Sequence, residues 1–197
     1  MSLAKYLMQK APSPRVTFIG ATVHENAGAP SAVVPPAGVE NGDLLVVQYC
    51  GGSTPVVPSG WVKRLSATNY AFLTGPYAGE TSFNFGSSSG ASLVMAAFRL
   101  ATYGASTQGT SSWPIQAGFD AGDMVVAGAS RRHFPFNAAY LTDIPTGYEL
   151  AGLANTNGGG SQASAIYYKL SDAASEAPPD GATDAEFRVT ARITVAP

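Results

Sequence analysis

A single cysteine, Cys50, is all this 197-residue chain contains, so no internal disulfide can form and the fold must stand on packing. Charge is scarce as well: 11 basic and 13 acidic residues amount to 12% of the chain, about half the roughly 25% usual in a soluble domain. A net charge of −2 argues against nucleic acid as a partner, because that binding rests on many Lys and Arg contacts to phosphate. No apolar run approaches the ~18 residues of a membrane-spanning helix, and no charged-then-apolar start leads to a small-residue cleavage site. Neither membrane insertion nor a secretory signal is expected. What the chain has in quantity is hydrophobic residues (45%), 22 Gly and 14 Pro. A domain of this size buries roughly 70% of its unfolded surface, enough for one continuous core, and the Gly and Pro content favours turns over helices.

The first residues stand apart. Leu3, Tyr6 and Leu7 recur at helical spacing, and Pro12 and Pro14 stop any helix near Lys10. Ten residues make a marginal helix alone, so residues 1–14 read as a docking arm. Residues 15–197 then read as one β domain. Phe187, Val189, Ala191, Ile193 and Val195 alternate with Arg188, Thr190, Arg192 and Thr194, giving one apolar and one wet face. Thr81, Phe83 and Phe85 alternate with Ser82 and Asn84 in the same way. Leu44–Tyr49 and Met124–Ala127 are short apolar runs after Gly-Asp turns, as in buried strands, whereas Leu93–Phe98 suits strand or helix. About ten short strands imply an all-β, antiparallel β-sandwich, jelly-roll-like in style.

The domain also repeats itself. Residues 37–47 align without gaps to residues 117–127, with Ala, Gly, Gly-Asp and Val identical at five of eleven positions. Pro58-Ser59-Gly60-Trp61 is echoed by Pro145-Thr146-Gly147-Tyr148, and Ala78-Gly79-Glu80 by Ala174-Ser175-Glu176. Two copies are too few for a solenoid. They predict two pseudo-repeat halves, about 15–100 and 101–197, closing over a shared core.

The order Gly-Asp-Leu-Leu-Val-Val, then Pro-Ser-Gly-Trp, then an aromatic strand with Gly-Glu, resembles a β-sandwich module of tailed-bacteriophage fibre, tail-tip and head-surface proteins. The resemblance covers about Val16 to Val195, and its motifs are structural rather than catalytic. It implies a virion component, assembled in the host cytoplasm and then extracellular, and often trimeric. Other virion proteins and host-surface polysaccharide are the partners it brings with it. The chain from Met1 to Pro197 shows no coiled-coil or triple-helical shaft, so a small separate component is expected rather than a full fibre.

Chemistry-bearing groups are few. The two histidines, His24 and His133, lie in apparent loops, and no serine sits in a Gly-x-Ser-x-Gly elbow, so no enzyme is expected. One Cys and two His make no usual zinc site, and neither a cofactor nor a metal is assigned. Asp172, Glu176, Asp180 and Asp184 cluster before the last strand; their spacing fits no calcium loop and Pro178-Pro179-Asp180-Gly181 reads first as a turn, which leaves calcium open. Asp43 and Asp123, one in each copy, are expected to bond their own turns, and Trp61 and Tyr148 to pack inward. The most unusual composition is Arg131-Arg132-His133-Phe134-Pro135-Phe136 with Tyr140 behind it. Arg and aromatic side chains suit a contact surface; the competing reading has the phenylalanines cap the core and the arginines merely solvated. Trp113 beside Pro114 is the other exposed-aromatic candidate. The expectation is a non-enzymatic, exterior structural subunit that forms a homo-oligomer, with trimer favoured, because 12% charge suits a surface covered by neighbours. The alternative is a stand-alone carbohydrate-binding module.

Overall fold

The computed structural model describes residues 13–26, 32–86, 90–133, 141–156 and 161–197, and among these the chain is all β. Strands β1 (Thr17–Asn26), β2 (Leu44–Gly51), β3 (Val62–Ala67), β4 (Tyr70–Pro76) and β5 (Ala91–Arg99) form one antiparallel sheet in the order β1-β5-β2-β4-β3. Strands β6 (Ala101–Gly109), β8 (Met124–His133), β9 (Glu149–Thr156), β10 (Ser161–Leu170) and β12 (Phe187–Val195) form the second, in the order β6-β12-β8-β10-β9. A two-residue ladder of β7 (Gln116–Ala117) and β11 (Ser175–Glu176) lies beside it. Each five-stranded sheet is thus filled by one half of the chain. A jelly roll would pass strands back and forth between its sheets; here the main sheets are joined by one crossover, at Leu100, which turns with a positive φ of 53°. The arm bearing Leu3, Tyr6 and Leu7 lies outside the described residues.

Writing β6, β8, β9, β10 and β12 for β1, β2, β3, β4 and β5 in order makes β1 the counterpart of β6, β5 of β12, β2 of β8, β4 of β10 and β3 of β9, and the two strand orders coincide. The irregularities coincide too. Each edge strand carries one extra residue: Ile19 in β1 and Gly104 in β6, Arg64 in β3 and Ala151 in β9. Bulges at sheet edges twist the open backbone row away from further pairing.

Three apolar layers result. Between the sheets, Leu44, Val46, Phe72, Val94 and Phe98 meet Met124, Val126, Ile166, Phe187, Val189 and Ile193. The outer face of the first sheet is covered by Val33, Trp61, Phe83 and Phe85. The outer face of the second is covered by Phe119, Leu141, Tyr148, Ala182 and Ala185. Loops therefore roof both sheets, which explains why every residue of β2 is buried and why its sequence runs apolar instead of alternating. It also corrects two sequence expectations. The second face of β12 is wet only toward its end: Arg188 and Thr190 are buried, because β12 is an interior strand whose outer face there lies under the roof, whereas Arg192 and Thr194 are half-exposed. Residues 81–85 form no strand but one bridge, Val33 to Phe83, that holds Phe83 and Phe85 against Trp61.

The sheets meet through a polar group at mid-interface. Gln48 Nε2 donates to Ser130 Oγ at 2.8 Å, and Ser92 and Ser164 share a hydroxyl bond at 3.0 Å, all fully buried. Gln48 and Gly128 are 80 residues apart, the offset of the repeat, and face each other: a Cβ on Gly128 would lie 2.2 Å from Gln48 Oε1. Cys50 is flanked in its sheet by Tyr70 and Ser92, and Ser130 in the other by Ser164 and Phe187. The contact Ser92–Ser164 on one flank therefore has a counterpart in Phe187–Tyr70 on the other, where the rings stack at 5.5 Å. Contacts that recur with the halves exchanged are those of an isologous two-fold interface. Small residues on the first flank, Gly152 among them, let β1 and β5 approach β9 and β10 closely.

Candidate functional site

Asp43 and Asp123 play the turn role expected of them, and more. Asp43 Oδ2 accepts the Glu40 N–H at 2.8 Å, and Asp123 Oδ2 accepts the Asp120 N–H at 3.0 Å. Each buried carboxylate also binds an arginine from its sheet's β5 or β12: Arg99 to Asp43 at 3.0 Å, Arg192 to Asp123 at 3.0 Å. A second acid completes each set, Glu40 at 3.2 Å from Arg99 and Asp120 at 3.4 Å from Arg192. These are fasteners for the turn, with no acid–base pair between them.

The predicted contact residues are placed as follows. Arg131 and Arg132 end β8 half-buried; the Arg131 guanidinium pairs with Asp184 at 3.3 Å and donates to its carbonyl, so it is a loop anchor rather than a solvated charge. His133 lies in β8 but its side chain, with Phe134, Phe136 and Tyr140, falls outside the described residues. Trp113 donates its indole N–H to the carbonyls of Asp180 and Gly181, stands edge-on to Tyr167, and lines a groove of about 330 Å³ with Pro178, Pro179 and Arg188. Arg131 and Trp113 thus both hold the loop before β12, and a residue the sequence reading passed over, Arg188, is its centre. Arg188 is buried and donates to the carbonyls of Thr110, Ala182 and Thr183. Its place inside an alternating strand marked it as solvent-facing, and nothing local signals the roof above it.

The acidic cluster is dispersed. Asp172 and Glu176 pair with Lys169, Asp180 accepts from Thr146 N and Oγ1, and Asp184 goes to Arg131. Among the described residues no three His, Cys, Asp or Glu side chains group to hold a metal ion. Burial pushes the Cys50 thiol well above its ordinary value, which leaves it protonated and inert at neutral pH. Burial lowers His24 below the usual imidazole range.

Two grooves open where the flanks of the sandwich meet the Gly-Asp end. The larger, about 440 Å³, lies between β1 and the ends of β8, β9 and β10 and is lined by Arg15, Phe18, Glu149, Tyr168, Lys169 and Asp172, among others. Phe18 and Tyr168 stack at 4.3 Å, and the Tyr168 hydroxyl donates to Glu149 at 2.7 Å. The smaller, about 300 Å³, lies between β6 and the ends of β2, β3 and β4 and includes Arg64, Thr74 and Tyr103. By ladder register Tyr103 occupies the place of Phe18, and Thr74 that of Tyr168. The bulge residues correspond as well, Arg64 to Ala151. In the smaller groove the Arg64 guanidinium lies 3.9 Å over the Tyr103 ring and donates to Thr74.

Burial, then the bond to Glu149, pushes the Tyr168 phenol from 10.0 up to about 12, and burial raises Tyr70, Tyr148 and Tyr167 further. A folded pKa above the unfolded one gives stability that is whole below pH 10 and lost as pH climbs through the folded value. The protein is expected to lose stability steadily above pH 10, with phenolate absorbance rising together with unfolding; free titration of these tyrosines near 10 in the folded state would contradict this.

The chain matches no family model, and neither the curated proteins nor the solved structures offer a match.

Proposed function

We propose that this chain is a non-enzymatic structural subunit on the exterior of a bacteriophage particle, working as a homo-oligomer, with a trimer favoured, and touching host-surface polysaccharide. The motif order Gly-Asp, Pro-Ser-Gly-Trp and Gly-Glu supports the phage setting by resemblance. The observation that carries the assembly reading is strand β6: an edge strand of nine residues, Ala101–Gly109, with neither charge nor proline. Monomeric β proteins guard such edges with charged side chains, as exposed Lys63 does on β3, an edge of the first sheet. An edge guarded by no charged side chain of its own, only by its bulge at Gly104, in a chain with only 12% charge, suits a surface that neighbours cover.

Light scattering after size exclusion tests this. The chain is expected to run as a multiple of its 20.2 kDa, and lysines at the exposed positions Thr102 and Gln108 to return it to single copies. A strict monomer at high concentration overturns the assembly reading. Antibody labelling of intact particles tests the setting, and particles without label overturn it.

A further inference from the structure

We infer that β6 docks on β6 of a second copy, antiparallel, about a two-fold axis at Thr107. The inference rests on the assembly reading proposed above and deepens it by naming the partner strand and its register. A pair joined this way is closed, so a trimer would need a different contact. The two main sheets have four edge strands, β1 and β3 in the first, β6 and β9 in the second. Three of them present charge. Exposed Lys63 stands on β3, and β9 begins at Glu149. On β1, Glu25 reaches over to β9 and its carboxylate accepts the Asn155 N–H at 2.8 Å. Covering any of these edges with a neighbour takes a charge out of water. β6 carries no charged residue, so β6 against β6 is the one pairing of these edges that leaves no charged side chain on either strand.

The ladder to β12 sets the register. Its one irregularity is at Gly104, and Ala105 to Gly109 pair without a break opposite Arg192 to Arg188. A regular run is what an added strand needs, and Thr107 is the middle of this one. Centred there, Thr107 faces the partner's Thr107, Ser106 faces the partner's Gln108, and Ala105 faces the partner's Gly109. Every member is small or neutral, and a cross-strand Thr pair is favourable. Arg64 lies over Tyr103 and lines a groove with Thr102, beyond the bulge. The two-fold sends those ends in opposite directions, so the basic side chains of the two copies do not meet. A second observation falls at the same place. Ile115 is 70% exposed, more than any other exposed large hydrophobic among the described residues, and its carbonyl accepts the Thr107 hydroxyl at 3.2 Å. It therefore stands beside the centre of the run. The axis brings both copies of Ile115 to one face of the joined sheet, where docking withdraws them from water.

The test uses the full chain, light scattering and self-cross-linking. A mass of twice 20.2 kDa is expected. Facing residues of an antiparallel pair have Cα atoms about 4.5–5.5 Å apart, within disulfide reach. Thr107→Cys is therefore expected to cross-link two copies under mild oxidation. Thr102→Cys is expected not to, because the two-fold holds its copies about 30 Å apart. Cys50 stays out of the reaction because it is fully buried. Ile115→Ser, a change at an exposed position, is expected to weaken association by about tenfold or more, and Trp fluorescence confirms that each variant is folded. A mass of three copies, a pair that Thr107→Cys does not cross-link, or association indifferent to Ile115→Ser overturns this inference and leaves the assembly reading standing. Single copies at high concentration overturn both.

Discussion

Trp61→Ala is expected to destabilise the protein by about 3–5 kcal/mol, the range for emptying a large aromatic site in a core that relaxes only in part. Trp61 is 7% exposed and meets Phe83 and Phe85 edge-on at 5.1 and 5.2 Å. Its other neighbour is the backbone of β4, where a Cβ on Gly75 would lie 2.5 Å from the indole Cδ2. The ring is rigid and hemmed in, so Gly75→Ala should cost about 1–3 kcal/mol by overpacking. The two effects are not independent. Once the indole is gone the added methyl has room, so the double variant should cost less than the two singles together. Denaturant midpoints for the three variants check this; additive losses would mean that the indole does not rest on Gly75. The second half solves the same problem differently. Tyr148 takes the place of Trp61 and Lys169 that of Gly75, with the ammonium 5.5 Å from the ring centre.

Arg188→Met is expected to cost a similar amount, about 3–5 kcal/mol, through a different mechanism. Met keeps the apolar stem but removes donors from three carbonyls, those of Thr110, Ala182 and Thr183, now 2.6–2.9 Å from the guanidinium. Carbonyls left without a donor in a buried site carry their full desolvation cost. The guanidinium also lies 6.0 Å from the Trp113 ring centre, so the change should alter Trp113 fluorescence. Arg188→Lys should recover little, because a single ammonium cannot reach three divergent acceptors as a planar fork does. Thermal unfolding of the two variants measures both. A loss under 1 kcal/mol for Met would show that the loop before β12 is held by something else.

Much of the fold could be read from the chain because its strongest signals are local. The Gly-Asp turns before Leu44 and Met124, the aligned segments 37–47 and 117–127, and the Pro-x-Gly-aromatic turns before Val62 and Glu149 all lie at matching places in the two sheets. The inward packing of Trp61 and Tyr148 is foreseeable too, since an aromatic after a tight turn enters a strand facing the roof; both are buried. What escaped the sequence reading depends on the third dimension. Period-two alternation in β12 cannot tell a solvated face from one roofed by a loop, so it does not reveal that Arg188 and Thr190 are buried. The Asp–Arg fasteners join residues 56 and 69 apart. Their arginines stand at ladder positions two residues out of step, Arg99 beyond Phe98 but Arg192 before Ile193, so the repeat alignment does not reveal them. The grooves were invisible for the same reason: Phe18 and Tyr168 are 150 residues apart and meet only when one half lies on the other.

The central claim is that two matching halves share one core and fold as a single unit. The chain carries its own reporters, Trp61 in the first half and Trp113 in the second. Replacing each in turn by Phe and following the remaining indole through equilibrium unfolding measures the halves separately. One midpoint and one slope from both reporters, after correction for what each substitution costs, is the predicted result. Two separated transitions, with one half still folded after the other has opened, would contradict it.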